Sequence, residues 1–156
     1  MKTAHRCGMS NAHGSLARAL VGSLLVLSLT GCVPLDDGKH ADKDLSTQQL
    51  STHQLFQVGY TASLTPTPVD QLHTWTLQVS RPNGHPVEHA AVTVHGDMPE
   101  HGHGLPTQPR VTRESSPGIY TVEGMKFQMT GWWVVDFDIT DGDGQADTVR
   151  FNLLLH

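Results

Sequence analysis

His73-Thr74-Trp75-Thr76-Leu77-Gln78-Val79-Ser80-Arg81-Pro82-Asn83-Gly84 is the stretch that decides the fold. His73, Trp75, Leu77 and Val79 fall at every second position, the period of a strand with one buried face. Arg81-Pro82-Asn83-Gly84 then turns the chain, because Asn-Gly accepts the left-handed backbone of a tight turn. The same period continues on both sides. Phe56, Val58 and Tyr60 alternate upstream, before Thr65-Pro66-Thr67-Pro68 interrupts. Downstream come Ala90, Val92 and Val94, then Pro109 to Arg113 as a short edge strand. Ser116-Pro117-Gly118 turns into Ile119 to Val122, and Gly124 breaks that run before Met125 to Met129. Trp133, Val135, Phe137 and Ile139 share a face, and Asp141-Gly142-Asp143-Gly144 turns the chain into Val149, Phe151, Leu153 and Leu155.

About seven strands spaced roughly 8–12 residues apart, with no amphipathic helix, predict an all-β chain, an Ig-like antiparallel β-sandwich. About one hundred residues are enough for its two-layer core. Trp75 on an inward face, without flanking cysteines, fits a sandwich that lacks the disulfide.

The N-terminal segment reads as an address, not as part of this fold. Lys2, His5, Arg6 and Arg18 form a basic leader, followed by an apolar run from Ala19 to Ser28. That run is shorter than the ~20 residues of a membrane span. It ends in Leu29-Thr30-Gly31-Cys32, which resembles a bacterial lipobox. Residues 1–31 are therefore expected to be a lipoprotein signal peptide, with Cys32 as the lipidated residue and the membrane as a partner through that anchor. A multiply acylated cysteine holds stably, each buried methylene contributing about 0.8 kcal/mol. The expected address is the bacterial cell envelope, outside the cytoplasm; Val33 after the cysteine favours the outer membrane, periplasmic side, in a Gram-negative cell. Residues 32–54 are polar and aperiodic and are expected to be a flexible tether, with a short helix over 45–55. The sandwich is expected to occupy 55–156.

Cleavage and lipidation account for both cysteines, Cys7 and Cys32. The mature domain is left without a disulfide or a thiolate ligand. This excludes Cys-rich zinc modules and the His2Cys blue-copper site. Without Lys2, Arg6 and Arg18, seven Lys/Arg stand against fifteen Asp/Glu, a net charge of −8. Such a surface disfavours nucleic acid as a partner.

The chemistry concentrates in Val94-His95-Gly96-Asp97-Met98-Pro99-Glu100-His101-Gly102-His103-Gly104-Leu105-Pro106, directly after an alternating apolar run. Imidazole and thioether together suit copper, the thioether favouring Cu(I) and the imidazole accepting either state. Glycines let the backbone fold back so that these side chains converge, and prolines stiffen both ends. Met98, His101 and His103 are the primary candidate ligands, with Met129 or Met125 as supplements and His95 as an alternative. The plainer reading makes the methionines core gap-fillers and the histidines a solvated loop.

The remaining histidines carry less weight. His73 reads as a packed, hydrogen-bonded core residue. His85 and His89 flank a turn, and His40, His53 and His156 lie in the tether and at the terminus. Asp138, Asp141, Asp143 and Asp147 lack EF-hand spacing, since Ala146 stands where glycine is needed, and they read as a hairpin turn. Of Trp132 and Trp133, one should face the core and the other the outside. No Gly-x-Ser-x-Gly or cysteine nucleophile is present, so no enzyme is expected.

A series of motifs carries a resemblance. Gly59-Tyr60, His73 to Val79, Gly84 to Val87, Met98 to Gly104, Pro117 to Tyr120, Phe127 to Trp133 and a final Phe-x-Leu-x-Leu occur in order. The chain resembles the YtkA-like/FixH-like family of small bacterial extracytoplasmic domains over about residues 56–155. Their sandwich is similar to that of CopC-type copper-resistance proteins. The resemblance implies an Ig-like fold and a protein partner in copper handling or oxidase assembly. The expected function is a lipid-anchored copper buffer or delivery protein. The alternatives are a metal-free interaction or assembly module using the loop and an exposed tryptophan, and a histidine-led site for zinc or nickel.

Overall fold

Strand formation follows the period-two runs, and the computed structural model describes residues 40–156. The residues expected to form the signal peptide and lipobox, with Cys32, lie outside the described residues. Nine antiparallel strands form: β1 (Gln48–Leu50), β2 (Gln57–Ala62), β3 (His73–Ser80), β4 (Ala91–Met98), β5 (His103–Gly104), β6 (Arg110–Ser116), β7 (Ile119–Met125), β8 (Gly131–Thr140) and β9 (Ala146–Leu155). Seven of these are the strands that the alternation predicts; β1 and β5 are the short additions. No helix occurs among the described residues.

Hydrogen bonding runs in the order β1-β2-β3-β7-β6-β4-β8-β9, with β5 added to β4. The link from β6 to β4 is a single register pair, Thr93 with Arg110. The sheet folds over at that weak link into two layers, and rings meet between them. Trp75 stands 6.2 Å from Phe137, Tyr60 is 4.9 Å from Phe151, and Phe127 is 5.2 Å from Trp133. Each large side chain removed from water in this core contributes roughly 1.5–3 kcal/mol.

Four expectations need correction. Residues 45–55 form no helix: Gln48–Leu50 pairs with β2, and Ser51 closes on Phe56, its N–H donating to Phe56 O and its hydroxyl oxygen accepting from Phe56 N–H. The stretch from His40 to Gln54 also lies against the domain instead of trailing as a tether, with Asn152 donating to Asp44 O and Thr52 N–H to Thr148 O. Gly124 does not end its strand. It stays within β7 as a bulge at φ +86°, so that Thr74 pairs with Glu123 and His73 with Met125. Pro109 precedes β6 and Arg110 to Arg113 open it; β6 lies between β7 and β4, joined to β4 by the one pair Thr93–Arg110, instead of at a true edge.

The two ends of the sandwich differ. At one, Asp141 accepts from the N–H groups of Asp143 and Gln145 and pairs with Arg81, as a hairpin turn requires. At the other meet the end of β4, the start of β8, the end of β7 and the start of β3. The histidine loop is at that end.

Candidate metal-binding loop

β4 delivers the loop. Val94 and Met98 are buried and the residues between them alternate, so His95 falls on the opposite, outer face. Its Nε2 stands 3.3 Å from an oxygen of Asp138. His95 is thus directed away from Met98 and pairs with a surface carboxylate.

After Met98 the chain reverses within four residues. The N–H groups of His101 and Gly102 both donate to Met98 O at 2.9 Å. Gly102 takes φ +67°, a conformation that glycine adopts without strain. The return strand β5 places His103 opposite Met98 and Gly104 opposite Asp97. It can lie this close because a Cβ on Gly104 would stand 2.9 Å from Gly96 O. Leu105 closes over Gly96, where a Cβ would meet the leucine at 2.5 Å.

Directly opposed residues in a ladder share a face, so the Met98 thioether and the His103 imidazole lie side by side. Met98 is 1 % exposed, with its methyl against Gly131, whereas His103 is half-buried with its ring 6.0 Å from Trp133. His101 is exposed and its ring centre lies 5.8 Å from that of His103. One ion between the two rings fits that separation when metal–nitrogen bonds are about 2.0–2.1 Å. No three histidine, cysteine, aspartate or glutamate side chains among the described residues are grouped to hold a metal.

The supplementary methionines separate. Met129 is 36 % exposed on the connection from β7 to β8, and its carbonyl accepts from Trp133 Nε1. Met125 is fully buried and sits opposite His73, not in the loop.

Two residues of this end were not singled out by the sequence. Gln128 Nε2 lies 2.8 Å from His103 Nδ1 and donates to Gly104 O at 3.1 Å. The Gly104 carbonyl can only accept, which fixes the amide orientation and makes His103 Nδ1 the acceptor, with the ring proton on Nε2. Gln128 Oε1 is buried without a partner. As the amide lies, Nδ1 is occupied and Nε2 carries the proton; a metal at Nε2 requires the amide to turn over, giving up its bond to Gly104 O, so that Oε1 accepts from an Nδ1–H. The second residue is His40, whose Nε2 is 3.5 Å from Glu100 and whose ring is 5.5 Å from Trp132. Lys43 lies over the same indole at 4.9 Å. Trp133 thus faces the core and Trp132 the outside, where the segment from His40 covers it. The sequence signal for both residues was weak, because only long-range pairing brings them here.

A profile of the YtkA-like family matches residues 54–138. The chain belongs to the YtkA-like family. The match begins just before β2 and ends within β8, so it includes the loop and leaves β9 to complete the sheet. No curated protein matches this YtkA-like chain. Among solved structures, a DUF4426 family protein from Pseudomonas aeruginosa PAO1 is similar at TM-score 0.51 and 20 % identity, covering 70 % of this chain and 94 % of that one. This likeness is one of fold. The ZirS C-terminal domain aligns at TM-score 0.37 and 14 % identity, over 92 % of this chain and 86 % of that one.

Proposed function

We propose that this YtkA-like protein is a lipid-anchored copper-binding protein of the bacterial cell envelope, which buffers copper or passes it to a partner. The observation that carries the reading is the Met98–His103 register pair, which sets a thioether beside an imidazole, with a second imidazole 5.8 Å away on His101. Mixed sulfur and nitrogen donors select copper over harder cations. Met129, exposed next to Gln128, is the available supplement. The role is binding, not catalysis. Exposed His101 would take the ion first, and Met98 would complete the site from beneath; an acceptor would then displace the ligands from the outside inward. The lipobox supports anchoring at Cys32 and residence on the outer face of a membrane.

A metal-free docking module is the second reading, favoured by one observation: Met98 is packed as a core residue and offers little surface. An anaerobic Cu(I) titration against a chromophoric chelator, run with the Met98→Leu, His101→Asn, His103→Gln triple variant, separates the two. One-to-one binding that the variant lacks supports the copper reading. Equal affinity in both proteins overturns it and leaves the loop as a protein-docking surface.

A further inference from the structure

We propose that His73 and Met125 form a second, buried site for a soft monovalent metal ion, separate from the loop. His73 opens β3 on its inner face and is only 6 % exposed. Its Nδ1 lies 3.1 Å from the carbonyl of Gln71. A carbonyl only accepts, so Nδ1 carries the proton and donates, and the neutral ring keeps its lone pair on Nε2. That nitrogen is buried and has no hydrogen-bond partner. A buried acceptor left in that state is destabilising, so its retention needs a physical reason.

The residue opposite supplies one. Met125 is the register partner of His73 across the β3–β7 ladder, and both are buried on the inner side. The bulge at Gly124 creates this pairing; without it the alternation would turn Met125 outward. Opposed Cβ atoms stand about 4.5–5.5 Å apart, which brings a thioether within reach of the imidazole. One neutral nitrogen and one neutral sulfur are a ligand pair for Cu(I) or Ag(I).

The surroundings restrict the charge. Phe127 and Trp75 wall the site, with ring centres 5.8 and 6.4 Å from His73. Asp141 and Asp147, the buried carboxylates, belong to the opposite end of the sandwich. Of the nearer carboxylates, Asp70 is exposed and paired with Lys126, and Glu123 is exposed opposite Thr74; neither is placed to neutralise a second positive charge inside, and an uncompensated divalent ion in an apolar site is strongly disfavoured. Entry is short. Gln71 and Leu72 precede His73 and are exposed, Leu72 to 62 %. Rings in series, His73–Phe127–Trp133–His103, separate this site from the loop at successive distances of 5.8, 5.2 and 6.0 Å. The two sites share one end of the molecule and no ligand.

Silver(I), which is redox-inert, is the probe, and the readout is the 15N resonance of His73 Nε2 together with the Met125 methyl signal. The measurement is made on the intact protein and on the loop triple variant. One equivalent of Ag(I) is expected to shift both resonances in the loop variant. Met125→Leu, which conserves volume and keeps the fold, is expected to weaken that binding by more than the roughly 10–100-fold that even an outer-shell partner costs. An unmoved Nε2 at saturating Ag(I) overturns the proposal. So does a cross-peak from Nε2 to a long-lived water in the presence of Ag(I), since Trp75 Nε1, also buried and unpartnered, would then share that water. Binding at the loop alone overturns the buried site and spares the copper reading of the loop; binding at His73 alone does the reverse.

Discussion

At the scale of single residues, Met98 is where packing and metal chemistry compete. Its methyl lies where a side chain at residue 131 would begin: a Cβ there would stand 2.6 Å from Met98 Cε, and Gly131 holds φ +117°. Gly131→Ala therefore strains the backbone, at about 1–3 kcal/mol, and pushes the thioether aside. A thermal melt should register the first effect, and a Cu(I) chelator competition the second as a loss of affinity. Unchanged affinity would remove Met98 from the ligand set. Gln128→Leu tests the neighbouring imidazole. Without the amide, His103 Nδ1 loses its partner and the metal-binding tautomer loses its support. Copper affinity is expected to fall by roughly tenfold, with circular dichroism unchanged.

At the scale of elements, the loop depends on how β4 is entered. Tyr120 of β7 donates its hydroxyl to Val87 O at 2.6 Å and accepts from Ala90 N–H at 3.0 Å, tying the connection before β4 to the far side of the sheet. Burial raises the Tyr120 pKa, so the hydroxyl remains a donor at any physiological pH. Tyr120→Phe orphans both backbone groups. Unfolding free energy is expected to drop by about 1–3 kcal/mol in urea titration, with loop affinity retained once folded. This tie was not legible in the sequence. Period two reveals which residues of β3, β8 and β9 face inward, because alternation is local. It cannot show that Tyr120 reaches Val87, that Gly124 bulges instead of breaking β7, or that His40 folds onto Trp132. The loop's residue types marked it from the start, and Gly102 reverses the chain as the glycines implied. The grouping within it was not visible: the parity of β4 sends His95 to the outer face, and the bulge gives Met125 to His73.

At the scale of the whole molecule, the question is where the folding unit begins, and Asp147 decides it. This buried carboxylate of β9 accepts from the N–H groups of His53 and Thr148, each at 2.9 Å, and of Leu55 at 3.4 Å, and it also meets the His53 ring at 3.0 Å. Burial alone would raise its pKa, but hydrogen bonds from Ser51, His53 and Thr148 outweigh that and hold it well below the ordinary 3.8. A folded pKa below the unfolded one adds stability above the unfolded value, and that stability is lost as pH falls toward the folded value. Melting temperature should therefore be flat from neutral down to about pH 5 and fall below about pH 4. Most of those partners lie in residues 51–53, within the stretch whose composition reads as tether. A chain beginning at Leu45 keeps β1, Ser51 and His53; among the described residues it loses the surface contacts of His40 and Lys43 with Glu100 and Trp132, worth roughly 0–1 kcal/mol each, and the hydrogen bond from Asn152 to Asp44 O, worth about 1 kcal/mol. A chain beginning at Leu55 leaves the carboxylate buried without Ser51 or His53 and bares the edge of β2. Several hydrogen bonds at about 1 kcal/mol each go with it, at about 4–8 °C of melting temperature per kcal/mol for a small domain. The longer chain is expected to melt within a few degrees of the full protein. The shorter should melt well below it. Equal melting curves for the two would place the start of the folding unit at residue 55 and reduce β1 to an ornament of the sheet edge.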